Sequence, residues 1–434
     1  MLFITLTESK KSIIEDAKNR GFGIKKINFF DLSPGSNFFE ENEQYDIFPS
    51  GQVEQAPISK KILNKIKTLN PDRIFFDGLD QLKYLSNDSF QYRKKILSFL
   101  QLASNTGATI LLSSEVSENI SDDDLQFLVD GVFNLEYKNE NRIINITKFR
   151  GSDFEKGKHS FKLNEKGMVV FPILKPEKHI KKHNTFKNSS GIQEIDELLN
   201  GGIEGGTTTV ITGPSGVGKT TLSMQFMKAA SENGQRSVVY SFEETSETLI
   251  KRSESVNIPL REMKNNEILK IKKVDPLEYT PNEFSLEVID EVENNNAKIV
   301  LIDSLAGYRL SFGENKNIHI VKSLHALSNY LNNLNVTVII INEVRDITGN
   351  FRATDYGISY MADNIIFLRY LETQGKLKKA IGVLKKRLSD FEKYLREFKI
   401  TNEGIKVGEP LKGLQGVLSG SPKIVECKEN EIKE

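Results

Sequence analysis

A glycine-rich octapeptide at the middle of the chain limits the possible folds more than any other segment. It reads Gly213-Pro214-Ser215-Gly216-Val217-Gly218-Lys219-Thr220 and fits the pattern G-x-x-x-x-G-K-[ST]. Glycines at these places let the backbone curl into a nest of N–H groups that faces phosphates. The lysine then reaches the β- and γ-phosphates and the hydroxyl meets Mg²⁺. The candidate set for a nucleoside triphosphate is therefore Gly213, Ser215, Gly216, Val217, Gly218, Lys219, Thr220 and Thr221. Nothing like this loop occurs in the first half of the sequence.

The flanks suit the motif. The β-rich run Thr207–Thr212 precedes it, and helical spacing of Leu222, Phe226 and Ala229–Ala230 follows, up to Gly234. Strands are expected at Arg236–Phe242, Lys298–Leu305 and Val336–Ile341, with helices at Glu247–Val256 and Asn317–Leu334. This alternation predicts an α/β fold with a mostly parallel sheet covered on both faces. Asn364–Leu371, Lys379–Lys385 and Arg396–Thr401 read as strands joined by short turns, hence antiparallel C-terminal hairpins.

The chain also repeats itself. Thr7-Glu8-Ser9 echoes Glu243-Glu244-Thr245, and Arg73–Leu79 echoes Ile299–Leu305. Thr109–Val116 echoes Thr337–Val344, Asp130–Leu135 echoes Asp363–Leu368, and Lys148–Lys156 echoes Lys385–Lys393. All five pairs keep chain order, so the halves read as duplicates of one domain. The first copy begins where the second strand of the full domain begins. Its first strand, phosphate loop and first helix are missing. The expected layout is a degenerate domain over 1–174, a basic linker over 175–188, an intact domain over 189–418 and a polar tail over 419–434.

Charge and cysteine content narrow the classes. Lys+Arg and Asp+Glu both number 59, a balance that argues against a general grip on nucleic acid or on an anionic membrane. The single cysteine, Cys427, fits a reducing cytoplasm. No apolar run reaches the roughly 20 residues of a membrane span. The opening MLFITLTESK reads as a strand, not as a signal peptide.

Five further positions carry candidate chemistry. Asp303 closes an apolar strand, where its carboxylate can share Mg²⁺ with Thr220. Glu243 and Glu244 end the strand after the first helix. As neighbours on a strand they are expected to face opposite ways, so only one can aim at an attacking water. Lys385 and Arg387 alternate on one strand and share a face.

These residues resemble the KaiC family, RecA-fold ATPases. The resemblance rests on Ser190-Gly191-Ile192, Asp196-Glu197-Leu198-Leu199, the phosphate loop, Ser241–Glu244 and Val300–Leu305. It continues through Thr354–Ser359, Lys385–Arg387, Arg396-Glu397-Phe398 and the tail from Gly408 to Gly420. It implies two RecA-like P-loop NTPase domains in a hexameric homo-oligomer, with ATP and Mg²⁺ between subunits. Lys219, Glu243 and Glu244 would be catalytic in one subunit, with Lys385 and Arg387 supplied by its neighbour. The family's slow ATP hydrolysis and self-phosphorylation make Ser359 and Thr354 candidate phosphosites. Tyr360 stands where the family's second acceptor hydroxyl belongs to threonine, and Thr7 replaces the first glutamate of the catalytic pair.

The leading expectation is a ring-forming regulatory ATPase, a switch read by an unidentified protein partner. A RadA-like ATPase driven by single-stranded DNA shares the fold core but meets the neutral charge and lacks a basic, aromatic-interleaved loop. A nucleotide-gated scaffold with negligible turnover is the third alternative.

Overall fold

A computed structural model describes residues 1–34, 55–84, 89–115, 123–138, 141–165, 167–176, 186–310, 317–344, 358–373, 375–416 and 423–424. The chain divides into two compact units, Met1–Val170 and Phe171–Glu434.

The first unit runs β1 (Leu2–Thr5), α1 (Lys10–Asn19), β2 (Asn28–Asp31), α2 (Gln55–Leu69), β3 (Arg73–Asp77), α3 (Gln81–Tyr84), α4 (Ser89–Ser104) and β4 (Thr109–Leu112). It continues with α5 (Asp123–Leu128), β5 (Gly131–Lys138), β6 (Asn141–Phe149), β7 (Lys158–Asn164) and β8 (Gly167–Phe171).

The second unit opens with β9 (Lys187–Asn188), α6 (Gln193–Leu198), β10 (Ile203–Glu204), β11 (Thr208–Gly213), α7 (Lys219–Glu232), β12 (Ser237–Ser241), α8 (Ser246–Glu254), α9 (Leu260–Asn265) and β13 (Leu269–Lys273). There follow α10 (Pro281–Asn295), β14 (Ile299–Asp303), α11 (Leu305–Leu310), α12 (Asn317–Asn333), β15 (Thr337–Glu343), α13 (Ile358–Met361) and β16 (Asn364–Thr373). The last strands are β17 (Lys376–Lys386), β18 (Arg396–Thr401), β19 (Gly404–Pro410), β20 (Leu414–Gln415) and β21 (Lys423–Ile424).

The second unit is built on one nine-stranded sheet in the order β13-β12-β14-β15-β11-β16-β17-β18-β19. Pairing is parallel from β13 through β16 and antiparallel from β16 to β19. Strand β11 is buried at every residue, so it is the keystone of the sheet. One sheet face packs under α7, whose Leu222, Met224 and Phe226 join Ile211, Ile339, Ile366 and Leu368 in a single core. The opposite face buries Phe284 and Val288 of α10 and Leu324 and Leu327 of α12. Helix α10 starts on a capping box, in which Thr280 and Glu283 satisfy each other's backbone N–H groups. The expected α/β fold with antiparallel C-terminal hairpins is the observed one. In the expected polar tail, Lys423–Ile424 pairs antiparallel with Leu414–Gln415.

Among the described residues the first unit repeats this order without a counterpart of β11. Its two four-stranded sheets run β2-β1-β3-β4 and β5-β6-β7-β8. They correspond strand for strand to the two sides of β11. Without that central strand a single sheet becomes two. One face of the parallel half is packed, with Leu2, Ile4, Ile74 and Phe76 buried against Ile62 and Ile66 of α2 and Ile96 of α4.

No helix among the described residues is long and apolar enough to cross a membrane.

Candidate nucleotide site

The loop takes its shape from three glycines in left-handed or still more open backbone conformations. Gly213, Gly216 and Gly218 have φ of 159°, 71° and 117°. A Cβ on Gly213 would lie 2.4 Å from the Leu368 carbonyl oxygen, and one on Gly218 would lie 2.6 Å from Ile400 Cδ1. The cradle thus closes only around glycine. Helix α7 starts at once, so its unpaired N–H groups and positive dipole end face the hollow of the loop.

Lys219 is buried, and its Nζ donates to the Pro214 carbonyl at 2.8 Å. Burial lowers its pKa, while Glu343, 3.6 Å away, works in the opposite direction. An ammonium satisfied by one loop carbonyl retains donors for phosphate oxygens.

Thr220 and Asp303 meet as expected: Thr220 Oγ1 donates to Asp303 Oδ2 at 2.8 Å. Burial, reinforced by Glu243, pushes Asp303 up to about 6. A hydroxyl and one carboxylate at the end of a parallel strand form a hard-oxygen pair that suits Mg²⁺, which takes few protein ligands and fills its shell with phosphate and water. The residues present therefore fit a magnesium nucleotide.

Glu243 and Glu244 lie in the bend after β12, two and three residues past its last residue, Ser241. They do part company. Glu243 Oε1 accepts from Ser304 Oγ at 2.6 Å, beside Asp303. Glu244 Oε1 instead pairs with Arg252 NH1 at 2.7 Å, on α8. Glu243 is the carboxylate directed toward the Asp303 end of the site.

Lys385 and Arg387 share a face and reach one short segment. Lys385 Nζ donates to the Ser359 and Ala362 carbonyls at 2.8 and 2.6 Å. Arg387 donates to Asp363 Oδ1 at 3.2 Å and to the Tyr360 carbonyl at 3.0 Å. Lys386 points the other way, into the protein, and donates to Glu204, the Leu199 carbonyl and Ser389 at 2.6 Å each. Ser359 and Tyr360 are exposed on α13; Thr354 lies outside the described residues.

Ser304, Glu343 and Arg252 border the site without having been singled out in the sequence. So do Tyr370 and Lys379, which donate to the Ser215 and Gly216 carbonyls on the outer side of the loop. Glu343 could have been found, because it ends the parallel strand next to β11. Nothing in the spacing of the others marks them.

Comparison with known proteins identifies the family. A family model described as "ATPase: KaiC" matches residues 1–175 and again 188–412. The chain belongs to the KaiC family. Membership makes it a member of a family of nucleotide-binding ATPases. The circadian clock protein KaiC3 of Synechocystis sp. is 26% identical over 440 residues, covering 97% of this chain and 84% of that protein. The circadian clock oscillator protein KaiC of Synechococcus elongatus is 26% identical over 440 residues, covering 97% and 82%. That of Acaryochloris marina is 25% identical over 446 residues, covering 99% and 82%.

The first KaiC match spans a unit without the loop, and the rest of its site follows suit. Asp77, the counterpart of Asp303, accepts from Thr7 at 2.9 Å and from Ser113 at 2.6 Å. Two hydroxyls of its own unit take the place that Thr220 holds in the second KaiC repeat. The cation pair is better kept. Lys148 donates to the Gln126 carbonyl at 2.7 Å, and Arg150 lies 3.5 Å from both Asp130 and the Phe127 carbonyl.

Proposed function

We propose that residues 189–418, within the second unit, bind ATP with Mg²⁺ and hydrolyse it slowly, and that residues 1–174, among which there is no phosphate loop, form a degenerate KaiC domain. The observation that carries this reading is the 2.8 Å contact of Thr220 with Asp303 beneath a glycine cradle that no side chain could enter.

In this reading the loop N–H groups and Lys219 hold the phosphates, with Thr220 and Asp303 as the metal's protein ligands. The metal would neutralise charge on the β- and γ-phosphates. Glu243, oriented by Ser304, takes the proton of the attacking water; Glu244, held by Arg252, orients its surroundings. Lys385 and Arg387 bond to the 359–363 segment, not to the loop of their own chain. That supports a role at the site of a neighbouring copy, and so a ring, hexameric by family analogy. Ser359 and Tyr360 are both exposed next to these cations; we take Ser359 as the acceptor of any self-phosphorylation, because its short side chain holds the hydroxyl close to the backbone while that of tyrosine lies several ångströms further out. The names of the relatives suggest a timing or signalling role read by a protein partner.

Incubation with γ-labelled ATP followed by peptide mapping tests hydrolysis and Ser359 together. Lys219→Ala is expected to abolish magnesium-dependent phosphate release. Release that survives this change in pure protein overturns the proposal.

A further inference from the structure

Asp363 joins the strand that carries the phosphate loop to the arginine that, in the reading above, serves a neighbouring copy. It stands immediately before β16 and uses four groups, two on each side. Toward β11, its N–H donates to the Thr208 carbonyl at 2.8 Å, and its Oδ2 accepts from the Thr208 N–H at 3.0 Å. Toward β17, its carbonyl accepts from the Arg387 N–H at 3.1 Å, and its Oδ1 accepts from Arg387 NH1 at 3.2 Å.

The two sides differ in rigidity. Thr208 opens β11 and is fully buried. The next residue, Asn364, tightens the same joint by donating from Nδ2 to the Thr207 and Thr209 hydroxyls at 3.1 Å each. The Asp363 carboxylate is therefore fixed by the sheet before any arginine meets it. Arg387 lies just past β17, and its side chain is 47% exposed. Left to itself, so exposed an arginine would give up rotamer freedom when it met a phosphate. Held by Asp363, it has given up that freedom in advance and keeps most of its N–H donors free. The same carboxylate serves the second cation of the pair: burial and the Arg387 charge lower the Lys385 pKa, and Asp363 works against both. The clasp recurs in the first unit, where the Arg150 N–H donates to the Asp130 carbonyl at 2.7 Å and the guanidinium lies 3.5 Å from the carboxylate.

We propose that Asp363 is a positioning residue, which aims Arg387 for the nucleotide of a neighbouring copy from the loop-bearing strand of its own chain. The proposal rests on the reading of Arg387 given above. It has a consequence that a merely structural role lacks. Loss of the Asp363 charge damages the site to which the chain lends its arginine, not the site that the chain itself holds.

The test uses the full chain in steady-state hydrolysis. Asp363→Asn keeps an oxygen for the Thr208 N–H and removes the charge facing Arg387. It is expected to lower kcat at least about fivefold with KM for ATP within about twofold of the parent. Asp363→Ser, which keeps a hydroxyl acceptor and no charge, is the second variant and is expected to behave alike. In an Arg387→Ala background Asp363→Asn is expected to have no further effect. Mixing Asp363→Asn chains with Lys219→Ala chains is expected to restore activity, because the first supply an intact loop and the second an intact clasp. Unchanged kcat, losses that add to those of Arg387→Ala, or no recovery on mixing overturns the proposal. The two readings fail separately. If Arg387→Ala is impaired and Asp363→Asn is not, only the role of Asp363 falls. If Arg387→Ala hydrolyses ATP like the parent, the reading of the arginine falls and takes this proposal with it.

Discussion

Replacing Asp303 with asparagine should make the nucleotide-free protein more stable and the nucleotide-dependent protein inert. Burial and the nearby Glu243 charge push this carboxyl from an ordinary 3.8 up to about 6. At neutral pH the native state thus holds an ionised group that it would prefer protonated. A difference of about two pH units is worth about 3 kcal/mol at most. Water reaching a carboxyl that is only partly buried reduces this to about 1.5 kcal/mol. The penalty is absent below pH 4, where the group is protonated in both states. It grows between pH 4 and 6 and is full above, because the unfolded chain then binds fewer protons than the native one. Asparagine still accepts from Thr220 and carries no charge. Without nucleotide at pH 7.5, thermal unfolding of Asp303→Asn is expected about 3–6 °C above the parent, and the gap should narrow through pH 5 and close below pH 4. With Mg²⁺ and ATP the order should reverse, since only the parent gains binding free energy. A variant that melts at or below the parent at pH 7.5, or a gap independent of pH, would refute the reasoning.

The same geometry separates the two glutamates. Glu243→Gln should cut hydrolysis by about a hundredfold or more with little change in ATP affinity. Glu244→Gln loses mainly its pairing with Arg252 and should cost far less; equal losses in steady-state assays would remove Glu243 from its role. Arg387→Ala should lower hydrolysis at least tenfold, and mixing it with a Lys219→Ala chain should restore some activity if the arginine works on a neighbour's site. No recovery would argue for action within one chain. For packing, Leu368→Ala should cost about 2–5 kcal/mol in urea unfolding, against under about 0.5 kcal/mol for Leu135→Ala, its exposed counterpart.

The sequence carried the fold where one local rule ruled each segment. The loop pattern fixed β11 and α7, and the apolar run Ile299–Ile302 fixed a central strand. Among the elements that escaped are β13 and α10. Strand β13 is the edge strand Leu-Lys-Ile-Lys-Lys, whose single apolar row reads weakly. Helix α10 has its start marked by Thr280, Pro281 and Glu283, but its polar, acidic body dilutes the apolar stripe. The expectation for Glu243 and Glu244 had the outcome right and the setting wrong. They diverge because the chain bends after β12, and Ser304 and Arg252, remote in sequence, then select their directions. Likewise, the motif Lys385-Lys386-Arg387 looked uniform. Only the sheet shows that its middle member is an internal anchor.

The central place of β11 also sets a schedule for synthesis. Its neighbours β15 and β16 follow roughly 130 and 155 residues later, a separation that makes closure slow. Thr220 meets Asp303, which lies 83 positions further along the chain. A ribosome must therefore release β16 before the sheet around the loop can close, and the nucleotide site is among the last parts of the protein to come into being. The half-sheets of the first unit have no such wait: β5 pairs with β6 across a short connection, and β1, β3 and β4 lie within the first 112 residues. The first unit can settle early, while the unit that holds the loop must stay open until almost the whole chain has been made.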